Sequence, residues 1–165
     1  MTKTNNAIAI EKHIRKETIM NFIINLVLNA GIAYALLGKQ AVLNPWGEHG
    51  YVMDLLITGF LLSTILGGIF IVMSRRKRDS GDLKPAGHEG QSLSWLLPYN
   101  PWLAAPVLGI LGAVVAIPLL LGFFFLLELT SFSPIEYAAI KGIWAALLAS
   151  VMVPIAILQG LRASN

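Results

Sequence analysis

The chain has 165 residues, of which 56% are hydrophobic and only 13% charged, with a formal net charge of +3. It contains no cysteine, which excludes disulfides, thiolate metal sites and cysteine nucleophiles. The basic excess flanks apolar segments and gathers on no folded face, so it argues for membrane topology and against a nucleic-acid surface.

Four apolar stretches, Ile19–Gly38, Leu55–Ser74, Leu103–Leu127 and Gly142–Leu158, contain no Lys, Arg, Asp or Glu. Each matches the ~17–25 residues a helix needs to cross ~30 Å of hydrocarbon. A soluble helix of this length would carry charges on its solvated face. The predicted fold is all-α: a polytopic membrane protein, one integral domain over 1–165, with four transmembrane helices in two antiparallel hairpins. The spans are placed at about 17–38, 52–74, 103–128 and 134–160, and a cytoplasmic loop at 75–101.

The first helix is expected to start before the membrane, capped by Asn5 or Asn6, and to stop near Gly38. Asn44-Pro45-Trp46-Gly47 reads as an outer turn with an interfacial Trp. Span 2 closes on Arg75-Arg76-Lys77-Arg78, a stop-transfer cluster, followed by a Gly-rich polar stretch, 79–90. Residues 92–98 with Trp95, then Tyr99 and Trp102, suit a short interfacial segment. Span 3 carries Pro106 and Pro118. Span 4 opens on Ser133-Pro134-Ile135-Glu136, a capping box with Pro at its first helical position. At an offset of 87 residues, span 2 aligns with span 4, Asp54 falling on Lys141, but with only three identities in 22.

Lys3, Lys12, Arg15, Lys16, Arg75, Arg76, Lys77, Arg78, Lys84 and Arg162 fall on one side of this topology; only Lys39 and Lys141 fall on the other. By the positive-inside bias both termini are cytoplasmic. The polar, mixed-charge stretch before span 1 argues against a cleavable signal peptide.

The candidate functional residues are few. Glu17, Asn21, Asn25 and Asn29 recur every four residues, and His13 extends the row by one turn. Steps of four drift by about 40°, so the set stays on one helix face. An amide facing lipid is penalised by up to several kcal/mol, so this face is expected to meet another helix or water. It then either hydrogen-bonds between helices or lines a polar path. Asp54 and Lys141, near the outer ends of spans 2 and 4, form either an ion pair or a charge gate. Small residues every four positions mark helix contacts: Gly31 and Ala35; Gly59, Ser63 and Gly67; Ala138, Gly142, Ala146 and Ser150. His13, His49 and His88 lie outside the apolar runs, and no haem, metal site, catalytic triad or phosphate loop is visible. No cofactor and no enzymatic role are expected.

Lys16-Glu17-Thr18-Ile19 leading into an Asn-spaced first span, the Arg75–Arg78 cluster and the Ser-Pro-x-Glu turn resemble a group of small four-span bacterial inner-membrane proteins loosely labelled permease-like. The resemblance implies a bacterial plasma (inner) membrane location and transfers no site residues. The expected function is a small transporter or channel-like protein for a solute or ion, a homo-oligomer in the lipid bilayer. The alternative is a non-catalytic scaffold or regulatory subunit that docks on another membrane protein through the first helix. Nucleic acid is not an expected partner.

Overall fold

A computed structural model describes residues 3–47, 50–86, 96–126 and 131–162. They form four helices: α1 Lys3–Leu37, α2 Tyr51–Asp79, α3 Pro101–Leu126 and α4 Pro134–Gly160. All four are long and apolar enough to cross a membrane, the signature of a multi-pass membrane protein. The all-α class and the four spans agree with the sequence reading.

The local grammar explains where the helices begin and end. Ser133 Oγ accepts from the Glu136 backbone N–H, and the Glu136 carboxylate accepts from the Ser133 backbone N–H at 2.9 Å, with Pro134 at the first helical position. Gly38 N–H closes α1 on the Tyr34 carbonyl at 2.8 Å. The Asn44–Gly47 turn folds back on the start of α2, with Gly47 at φ +112° and the Tyr51 N–H bonded to the Asn44 carbonyl.

Two boundaries differ from expectation. α1 starts at Lys3, so neither Asn5 nor Asn6 caps it; the Asn6 side-chain Oδ1 accepts from the Lys84 backbone N–H instead, at 3.3 Å. α2 runs through Arg75–Arg78 to Asp79 before the connection to α3 begins. Arg and Lys are good helix formers, and cations suit a helix C-terminus.

The larger difference is in how the helices pair. Consecutive helices run in opposite directions, but neither of the two expected hairpins, α1 with α2 and α3 with α4, packs as one; the consecutive pair that does is α2 with α3. α1 packs antiparallel on α4, α4 lies parallel to α2, and α3 packs antiparallel on α2. Among the described residues α1 has no substantial interface with α2 or α3, and α3 touches α4 only marginally. The arrangement follows an approximate twofold pattern: α2 and α4 lie at the centre, and each outer helix sits on the central helix of the other half. The central pair keeps the 87-residue offset, with Asp54 beside Lys141 near one end and Ile71 and Ser74 beside Gly160 at the other.

Close backbone approach explains this choice. A Cβ built on Gly142 of α4 would stand 2.6 Å from the Leu26 carbonyl oxygen and 2.8 Å from the Ala30 Cβ of α1. On α3, Gly109 and Gly112 meet Thr64 and Ser63 of α2 in the same way. Gly31 and Ala35 of α1, by contrast, lie on its exposed side, and nothing stands within 4 Å of a Cβ on Gly31. Among the described residues they therefore do not form a close helix crossing, contrary to the expected packing role.

Two apolar clusters fill the ends. At the end that carries the termini and Arg75–Arg78 (the basic end), Ile10, Phe70, Ile71, Leu97, Leu108, Ile157 and Leu161 pack together. At the opposite, aromatic end, Tyr51, Phe124, Phe132 and Tyr137 gather with Leu43 and Leu55. A two-way backbone bridge, Leu43 to Phe132 at 2.9 and 3.0 Å, ties the two connections there.

Gly142→Leu is expected to prise α1 from α4, destabilising the protein by about 1–3 kcal/mol or more, whereas Gly31→Ala does not destabilise it and adds up to about 1 kcal/mol through helix propensity. Thermal unfolding of both variants in detergent, followed by circular dichroism, measures the contrast.

Candidate functional site

α1 turns one stripe toward α4: Ile10, Glu17, Asn21, Asn25 and Ala33 are buried, while Ile19, Ile23, Val27, Leu28 and Leu36 on the other sides are exposed. Exposed aliphatic side chains suit acyl chains, so the stripe separates amide from lipid as the four-residue spacing requires. Asn25 is only 6% exposed. The structure thus places Glu17, Asn21 and Asn25 on one buried face, with Asn29 half-buried at its end.

The bonds on this face are not those expected of a helix interface. Each amide donates to a carbonyl one turn back on α1: Asn21 Nδ2 to Glu17 O at 2.9 Å, Asn25 Nδ2 to Asn21 O at 2.9 Å, and Asn29 Nδ2 to Asn25 O at 3.1 Å. Asn29 also reaches the Asn25 Oδ1 at 3.4 Å. The row is a self-bonded ladder. Back-bonding to the i−4 carbonyl satisfies each donor without a partner helix, and the tight Gly142 crossing leaves α4 to supply apolar cover. From His13 to Asn29 the ladder extends roughly 24 Å along the helix axis at 1.5 Å per residue.

Its basic end carries charge. His13 Nδ1 lies 3.7 Å from Glu17 Oε1, and Lys77 Nζ of α2 lies 3.3 Å from His13 Nε2. A lysine ammonium can only donate, so His13 Nε2 accepts, and the ring hydrogen sits on Nδ1, facing the Glu17 carboxylate. Thr18 Oγ1, next to Glu17, is buried without a hydrogen-bond partner.

At the other end the register set by Gly142 against Leu26 and Ala30 brings Lys141 to the depth of Asn29. Lys141 Nζ donates to both Asp54 oxygens, at 2.8 and 2.6 Å, joining α4 to α2. The Tyr137 hydroxyl also donates to Asp54 Oδ2. Lys141 is buried, while the Asp54 side chain keeps 37% of its exposure. Tyr51 meets Phe124, Phe132 and Tyr137 in tilted and edge-on contacts at ring separations of 5.1, 5.1 and 6.0 Å, an aromatic cluster that reaches the pair through Tyr137.

The Asp54–Lys141 contact was legible in the residue types; its third member, Tyr137, was not singled out. The signal was present, since Tyr137 lies four residues before Lys141 on the same helical face. The Lys77–His13 contact joins residues 64 positions apart and has no local signal. Glu136 is taken up by the capping box; Glu128, His49 and His88 lie outside the described residues. Among the described residues no group of three or more His, Asp or Glu is placed to hold a metal ion.

Breaking a buried ion pair from one side leaves a charge unpaired, at about 3–5 kcal/mol when both partners are fully buried; the partial exposure of Asp54 reduces this to roughly 1–3 kcal/mol. Asp54→Asn is expected to lower the unfolding midpoint in detergent accordingly, and the exchanged pair Asp54→Lys with Lys141→Asp to recover part of the loss.

Comparison of the chain with protein-family models, curated proteins and solved structures gave no match.

Proposed function

We propose that this protein is a small transporter or channel-like membrane protein for a small solute or ion, with its path along the α1–α4 seam. One observation carries the reading. A self-bonded row of amides, buried inside the protomer, runs from the Glu17–His13–Lys77 group to the depth of the Asp54–Lys141 pair. Packing alone gives no reason to bury two successive amide rungs and half-bury a third against an apolar helix, because aliphatic side chains would fill the seam without the desolvation penalty. Ionisable and polar groups inside a membrane helix are associated with substrate and ion pathways.

The proposal includes a bacterial plasma membrane location and a basic end facing the cytoplasm, which follows from the charge distribution. It keeps the permease-like resemblance and a non-enzymatic role. Self-association belongs to it as well, since α1 is an edge helix held by one interface and leaves Gly31 and Ala35 facing outward.

That same outward face favours the second reading, a scaffold or regulatory subunit for another membrane protein. In that case the partner sits on the Gly31–Ala35 side, because the asparagines are already covered by α4. Purification from native membranes separates the two: a stoichiometric, different co-purifying protein supports the scaffold.

The transport reading predicts that vesicles containing the protein pass at least one member of a panel of protons, alkali cations, ammonium, chloride and small neutral solutes faster than empty vesicles. Replacing Asn21, Asn25 and Asn29 together by Leu abolishes that flux while leaving the detergent-solubilised protein monodisperse. Unchanged flux in the triple variant contradicts the reading.

A further inference from the structure

We infer that the species carried along the seam is the proton, and that Glu17 is its loading site at the basic end; the inference deepens the transport reading and rests on it. The first argument is size. At Gly142 the two backbones approach so closely that one added carbon would stand 2.6 Å from a carbonyl oxygen of α1. A crossing this tight has no room to widen into a pore for a hydrated metal ion or an organic solute. A proton moves by exchange along hydrogen-bonded groups and water and needs no such width.

The second argument is the chemistry at the basic end. Lys77 Nζ, His13 and Glu17 form a directed chain: ammonium to Nε2 at 3.3 Å, then ring Nδ1 to carboxylate at 3.7 Å. A proton entering this chain is conserved at each step. Lys77 releases a proton to His13 Nε2 as the ring hydrogen leaves Nδ1 for the Glu17 carboxylate, and rotation of the carboxylate closes the 3.7 Å gap. The result is a neutral Glu17, a neutral His13 carrying its hydrogen on Nε2, and an amine at Lys77 that recovers a proton from the aqueous side. Loss of the Nε2 proton to water and uptake of another at Nδ1 return His13 to its starting tautomer and reset the relay. The charged groups bearing on His13 are Lys77 from α2 and Glu17 and Lys16 from α1.

Beyond Glu17, the buried Thr18 hydroxyl has no partner in the protomer and offers a bond to a passing water. The asparagine amides, anchored to backbone carbonyls, hold polar groups at regular intervals up to the depth of Lys141. There the partly exposed Asp54 carboxylate, bonded to Lys141 and Tyr137, connects the seam to the surface at the aromatic end.

The test uses the full chain in vesicles loaded with a pH-sensitive dye, with a potassium gradient and valinomycin supplying the driving potential. The unmodified protein is expected to accelerate acidification over empty vesicles. Glu17→Gln and His13→Asn each lower that rate at least about ten-fold, whereas Glu17→Asp, which keeps a titratable carboxylate, retains most of it. No proton flux above empty vesicles overturns the inference, and so does an undiminished rate in Glu17→Gln. A Glu17→Asp variant as inactive as Glu17→Gln marks the residue as structural and also overturns it. Should Glu17→Gln fail to fold, His13→Asn and Lys77→Met at the chain's entrance decide the matter by the same rate. If protons do not pass but another member of the panel does, with dependence on the asparagines, the transport reading stands without this inference. If nothing passes, both fall.

Discussion

A bilayer core offers no hydrogen bond to an amide, and three amides stand on consecutive turns of α1. The rest of the structure can be understood as the consequence of satisfying that constraint. Each amide donates to the carbonyl one turn back, and the stripe they form is turned against α4. Contact is close because Gly142 has no side chain to hold the helices apart. Were α1 to pack on its sequence neighbour α2 instead, the glycine crossing on α4 would be left without a partner. The crossed pairing of the helices and the burial of the ladder are therefore one event.

That pairing has an approximate twofold form with unequal chemistry in its two halves. α1 sits on α4 as α3 sits on α2, and both crossings rest on small residues. Yet the buried stripe of α3 is Ala104, Leu108, Gly112, Ala116, Leu120 and Phe124, with no polar side chain, whereas that of α1 carries Glu17, Asn21 and Asn25. The central pair also breaks the pattern, since the equivalent positions 54 and 141 carry opposite charges and bond to each other. The buried polar groups are thus gathered along the α1–α4 seam, to which α2 adds Lys77 at one end and Asp54 at the other. The charge pair fixes the relative height of the two central helices at the aromatic end.

Much of this was legible in the residues, for identifiable reasons. Charge-free windows long enough to cross the hydrocarbon left no other reading of the four spans. Ser133-Pro134-Ile135-Glu136 marked the start of α4 because capping is a local interaction of residues three apart. The four-residue spacing of Glu17, Asn21, Asn25 and Asn29 settled that they share a face, and the cost of exposing amides to lipid settled that the face is turned inward. What spacing could not reveal was which helix covers it. Rows of small residues look alike whichever side they occupy, so Gly31 and Ala35 read like Gly142 and Ala146, although the first two are exposed and the last two buried. Nor could it distinguish an amide bonded across an interface from one bonded to its own backbone. Tyr137 was overlooked at a position that shares a face with Lys141, and Lys77 reaches His13 only because the fold brings α2 beside the extended start of α1.

The central claim is that the amide face of α1 is shielded from acyl chains by α4, and lipid accessibility measured residue by residue tests it most directly. With the protein in bilayers containing a paramagnetic label on the acyl chain, nuclear magnetic resonance should show strong broadening of the Val27 and Ile23 methyl signals. The Asn25 side-chain amide should remain sharp. Broadening of the Asn25 amide as severe as that of Val27 would place the ladder in contact with lipid and contradict the account.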